Sequence, residues 1–269
     1  MPKKYRIYAL LGAVLVIGGI GIVIYSATHR KPNPATPASA SSAAKPEASQ
    51  KIESIVTNPS TSPPQQSSQS TPPEPATPYP LHENITATVF WVGEGADNSN
   101  DFIHNRASAW MSDWTTSYGG VDDPENRCGY RPCAFTPKEN PFYFALPFND
   151  YDKNGLKPAA VLRAIPWYTG TIPEGTSIIK NRWIEVTHGN RVAYAQWEDV
   201  GPFGEDDAGY VFGTSKPTES RAGLDLSPAL AEYLGVNGRG VVSWRFVDSG
   251  SVPKGEWTKI VTKSQLKYE

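Results

Sequence analysis

Two arrangements of apolar positions divide the chain. The first is continuous: "IYALLGAVLVIGGIGIVIYS", residues 7–26, carries no charge and has the roughly 20 residues a helix needs to cross a bilayer. Lys3, Lys4 and Arg6 precede it and Arg30 and Lys31 follow, a small excess that predicts a cytoplasmic N-terminus. A cleaved signal peptide is the rival, but its apolar core ordinarily runs ~7–15 residues, and no strong small-x-small cleavage site follows. The pattern therefore predicts an uncleaved transmembrane anchor within residues 1–30.

The second arrangement has period 2 and begins near residue 84. "NITATVFWVG" alternates Ile85, Ala87, Val89 and Trp91 against Thr86, Thr88, Phe90 and Val92, as a strand covered on both faces would. "RWIEVTHGNRVAYAQWED" predicts a hairpin turning at His188–Asn190, where Gly189 and Asn190 tolerate positive φ. Its second strand sets Ala193, Ala195, Trp197 and Asp199 on one face and Val192, Tyr194, Gln196 and Glu198 on the other. Small alanines beside a tryptophan suit the inner face of a small barrel. Strict alternation then puts Asp199 at the barrel mouth and points Glu198 to solvent. Only "GLDLSPALAEYLG" shows helix punctuation: Ser227 as N-cap, Pro228 in the first turn, and Gly235 as the stop. Asp225, between Leu224 and Leu226, faces away from those leucines if they anchor inward. Residues 240–248 return as a strand.

Composition separates these arrangements. Residues 31–80 are mostly Pro, Ser, Thr, Ala and Gln and cannot bury enough apolar surface to offset their ordering entropy, so a disordered linker is expected there. Residues 81–269 hold all eight Trp, with 18 basic and 24 acidic side chains, a net charge of −6. That is enough chain for one core, and the charge argues against nucleic acid as a partner. Cys128 and Cys133 are the only cysteines, and outside the cytoplasm a local disulfide is expected. The histidines His82, His104 and His188 show no metal-ligand spacing, and Glu205, Asp206 and Asp207 lack the calcium-loop pattern. Neither a metal nor a cofactor is expected.

The succession of strand, "DVGPFG", loop, "GLDLSPALAEYLG" and strand resembles the double-psi β-barrel domain of the rare lipoprotein A (RlpA) and expansin families. There a D-x-G-P-F-like turn is followed by an I/L-D-L-S cap and a short helix ending in L-G. "FALPFND", residues 144–150, is similar to the L-P-F-G-T segment of those families, and the likeness covers about residues 142–248. It implies a mainly β fold over residues 81–269: a six-stranded double-psi β-barrel with one short helix and long loop insertions, held in the cell envelope by the anchor and linker. It also implies action on cell-wall polysaccharide as the partner. Some RlpA proteins are lytic transglycosylases on peptidoglycan, whereas expansins loosen walls without hydrolysis.

Two aspartates of the expansin-type groove match Asp199 and Asp225, the expected catalytic pair. Where RlpA proteins carry Ala-His, this chain reads "FYFALPF". Tyr143, with Trp197, Gly201 and Pro202 around the D-x-G-P turn, is therefore expected to bind substrate. Trp110 and Trp167 are candidate faces for stacking on a sugar, against the alternative that they are core. A lytic transglycosylase needs one carboxylic acid that protonates the glycosidic oxygen and then takes the proton of the sugar's 6-hydroxyl as that oxygen attacks C1. Asp199 is the candidate, and Asp225 is the neighbour that keeps it protonated or stabilises an oxocarbenium-like centre. For both aspartates the structural alternative is capping of backbone N–H groups.

Overall fold

The computed structural model describes residues 78–98 and 100–267. The anchor expected within residues 1–30 and the linker as far as residue 77 lie outside the described residues. Among those described, no helix is long and apolar enough to cross a membrane.

In chain order the elements are β1 (His82–Val89), α1 (Trp114–Tyr118), β2 (Tyr143–Leu146), β3 (Tyr151–Asp152), β4 (Gly155–Leu156), α2 (Ala159–Leu162), β5 (Trp183–His188), β6 (Arg191–Val200), α3 (Ala208–Val211), β7 (Leu224–Leu226), α4 (Pro228–Leu234) and β8 (Arg239–Val247). Six strands close a barrel in the order β1-β7-β2-β6-β5-β8, while β3 and β4 pair apart. Within the barrel β1 runs parallel to β7 and β2 parallel to β6; the other pairings are antiparallel.

The period-2 residues fill the interior. Ala193, Ala195 and Ala87 are fully buried, and their small side chains leave room for a stack of rings. Phe144 lies on Trp197 at 5.8 Å, Trp197 on Phe246 at 5.8 Å, and Phe246 on Phe212 at 5.9 Å. Burying each such side chain contributes roughly 1.5–3 kcal/mol. Helix α4 has the expected ends: Ser227 Oγ accepts from Leu230 N–H, and Gly235 closes the helix at φ 74°. The single helix expected is a correction, since the described residues contain four. The other three have only 4–5 residues, too few for a 3.6-residue period to register. They lie in the long insertions, where Asp113 and Asp207 cap α1 and α3. Cys128 and Cys133 form a disulfide in the first insertion.

Two segments complete the core from outside the barrel. Tyr79, placed by composition in the linker, packs edge-on against Trp167 and Phe246 and donates a hydrogen bond to Asp248. The strap over residues 257–267 lies across the outer face of β6. Gln196 exchanges hydrogen bonds with the backbone of Thr262, Ser264 Oγ donates to Glu139, and Lys267 pairs with the 110–112 backbone.

That strap overturns the expected exposure of Glu198. The side chain is only 1 % exposed and forms a buried ion pair with Lys180, which also reaches Ser264. Alternation correctly sends Glu198 off the Trp197 face, but the outer face is roofed there.

Candidate functional site

The site follows from strand register. On β2, Phe144 pairs with Trp197 but the next residue, Ala145, pairs with Asp199. Glu198 is thus an extra residue in β6, a β-bulge that re-aims the side chains beyond it. On its other side β2 pairs Ala145 with Asp225 of β7. Paired residues share a face of a sheet, so Asp199 and Asp225 flank Ala145 on the face opposite Phe144 and Leu226. This corrects the sharing of a face by Trp197 and Asp199. The same row continues through Thr88 of β1 to Arg239 of β8. Two interstrand steps separate the aspartates, or about 10 Å between Cα atoms.

Each carboxyl is held differently. Asp199 Oδ1 accepts from the backbone N–H groups of Ala109 and Val200, both at 2.8 Å. Burial pushes its carboxyl up to about 7; the two N–H groups and Lys180 oppose that rise, and Asp225 adds to it. Asp225 is part-buried and accepts from the Thr88 hydroxyl. Its carboxyl is also pushed up to about 7, chiefly by burial, with Thr88 opposing and Glu94 adding. Glu94 is itself 5 % exposed and bonded to Asn105. A carboxyl titrating near 7 can donate a proton at neutral pH and then act as a base.

Asp199 opens onto a hollow of about 590 Å³ whose walls include Ser108, Asn149, Phe203 and Arg221; Asp225 is not among its lining residues. The turn at Gly201–Pro202, a cis peptide, passes in front of Asp225. A Cβ on Gly201 would sit 3.5 Å from Asp225 Oδ2, and the residue adopts φ 153°, which favours glycine. A Cβ would thus meet the acid only at ordinary contact distance, so it is the backbone conformation that calls for glycine here; Pro202 is buried beside it, lining an adjoining hollow of about 400 Å³.

Of the aromatic candidates, three offer no face to a ligand. Tyr143 is fully buried; its hydroxyl donates to Asp122 and accepts from Val92 N–H, tying two loops to the barrel. Trp197 is in the central ring stack, and fully buried Trp110 donates its indole N–H to Asp150. Trp167 is half-buried, its ring is packed edge-on by Tyr79, Phe212 and Phe246, and its N–H is bonded to Ile178 O. It does not line the hollow. The other acids of the 198–207 run also separate: Asp207 caps α3 and also accepts from Thr218 N–H, Asp206 pairs with Lys157, and Glu205 is exposed on the hollow's wall.

Alternation alone does not single out Glu94, Lys180, Phe203 or Arg221. Thr88 has a legible signal, since it occupies the polar parity of "NITATV". Among the described residues no group of three or more His, Cys, Asp or Glu could hold a metal ion.

The raised carboxyls set a sign for stability. The folded chain keeps the Asp199 proton to about pH 7, whereas the unfolded chain releases it near its ordinary value of 3.8. The contribution is fully present below the unfolded value and is lost as pH rises through the folded one. For Asp199 that loss has an upper bound of ~4 kcal/mol. Thermal melts should therefore show Asp199→Asn gaining on the wild type between pH 5 and pH 8; a difference that stays constant with pH would refute the assignment.

Compared with known proteins, the chain matches no protein-family model, and no curated protein matches it.

Proposed function

We propose that this is a membrane-anchored domain of the cell envelope that acts on cell-wall polysaccharide, with peptidoglycan as the substrate and a lytic-transglycosylase-like reaction. The observation that carries it is one acid, Asp199, opening onto a groove with its carboxyl pushed to about 7 beside a second acid across Ala145. The barrel is of the double-psi kind; its paired parallel strands β1/β7 and β2/β6 support that assignment. The uncharged run of residues 7–26 supports the anchor, and the disulfide suits an oxidising compartment.

Asp199 then protonates the glycosidic oxygen and afterwards takes the proton of the 6-hydroxyl, closing a 1,6-anhydro ring. Asp225, behind the Gly201–Pro202 turn, adds to the burial that keeps Asp199 protonated rather than acting as a second reacting group. One observation favours an expansin-like, non-catalytic module instead: Asp199 Oδ1 already accepts two backbone N–H groups, as a capping carboxylate does.

Incubating the full-length protein with purified peptidoglycan decides between them. Mass spectrometry should find 1,6-anhydromuramyl ends. New reducing ends would instead mark a hydrolase, and co-sedimentation without cleavage would mark the expansin-like module. Neither cleavage nor sedimentation would sink both readings.

A further inference from the structure

Phe203 follows the Gly201–Pro202 turn at φ 59°, in the left-handed region that a Phe adopts only at a cost. The residue is 38 % exposed, although an aromatic of that size normally offsets such a cost by burial. Two hollows meet at this residue: Phe203, Gly204 and Glu205 line both the one of about 590 Å³, which contains Asp199, and the one of about 400 Å³, which contains Pro202 and Glu219. The two hollows therefore adjoin at Phe203.

The ring is braced. The Arg221 guanidinium lies 3.6 Å from its centroid. Arg221 in turn pairs with Asp101 at 2.5 Å and Glu219 at 3.3 Å, while its carbonyl accepts from Arg239. Two carboxylates thus offset the charge of the guanidinium. Glu205 adds a further exposed acceptor on the same walls. Negative walls around an apolar ring disfavour a chain with a carboxylate on every sugar ring and suit a polyhydroxyl chain, whose C–H faces pack on the ring and whose hydroxyls donate to the carboxylates.

We propose that Phe203, braced by Arg221, is the stacking platform of the groove and divides it into two saccharide subsites that accept a glycan whose sugar rings carry no charge. This rests on the polysaccharide assignment above and adds to it the residue that positions the chain and the charge class that the groove selects. The sugar in the larger hollow is the one presented to Asp199.

The test is calorimetric titration of the full-length protein with a hexamer of β-1,4-linked N-acetylglucosamine and, separately, with polygalacturonate. Phe203→Ala should weaken hexamer binding about 10-fold or more, whereas Phe203→Trp should stay within about 3-fold of wild type. Phe203→Gly should bind as weakly as the alanine variant yet melt at the same temperature or higher, because glycine relieves the positive φ. A ring that served only to pack would instead lower the melting temperature. Hexamer affinity should be insensitive to salt, and polygalacturonate should not bind. Wild-type hexamer binding that survives Phe203→Ala unchanged, or tighter and salt-sensitive binding of polygalacturonate, would overturn this proposal alone. Failure of the wild type to bind either the hexamer or the wall would remove the polysaccharide assignment with it.

Discussion

Release of anhydro-ended fragments from peptidoglycan should fall at least about 100-fold in Asp199→Asn, because a positioned acid–base group contributes ~10²–10⁴ in rate. Sedimentation with the wall should change by no more than about 2-fold. The substitution separates chemistry from architecture. An Asn Oδ1 can still accept from the Ala109 and Val200 N–H groups that now bond Asp199, so the loop stays seated while the titrating proton is gone. The wild-type rate should decline as pH rises past about 7, where Asp199 loses the proton that the proposed reaction requires. Asp225→Asn removes a negative neighbour and should move that decline to lower pH. An Asp199→Asn variant that cleaves at the wild-type rate would assign the chemistry to another group.

Lys180→Ala should destabilise the fold by about 3–5 kcal/mol at pH 8, since it strands a carboxylate in the interior. Glu198 and Lys180 are 1 % and 3 % exposed. Burial pushes the Glu198 carboxyl up to about 7 even with Lys180 beside it; without the lysine its folded-state value rises further. At pH 5 the carboxyl is then neutral in the folded chain, so the penalty should be much smaller there and grow as pH climbs. Melting temperature should drop on the order of 10 °C at pH 8, and Lys180→Met with Glu198→Leu should recover most of it. A loss below about 1 kcal/mol at pH 8 would mean that the ion pair is not sealed from water.

How far the sequence reports this molecule can be seen residue by residue. The hairpin of β5 and β6 is legible because Ala193, Ala195 and Trp197 alternate against polar neighbours over many residues, and α4 because Ser227, Pro228 and Gly235 punctuate it. Asp199 and Asp225 are picked out by motif spacing, yet the reason that they share a face is not legible. It depends on one unpaired residue, Glu198, opposite the Phe144–Ala145 step, and a bulge leaves no mark in a hydrophobic pattern. The burial of Glu198 is hidden for another reason: its roof is the strap at 257–267, more than fifty residues away and polar in composition. Trp110, Trp197 and Tyr143 show the limit of residue type, since an aromatic that suits a sugar equally suits a core.

The strap also sets an expectation for the order in which the site is completed. Lys267 N–H donates to Trp110 O and its carbonyl accepts from Ser112 N–H, each at 2.9 Å, and the backbone between Ser108 and Ser112 includes the Ala109 N–H that holds Asp199. A chain truncated at residue 260 would contain every barrel strand but should lack the clamp on the loop that aims the acid. Residue 267 is remote from the groove in sequence, yet it holds the loop on which Asp199 depends.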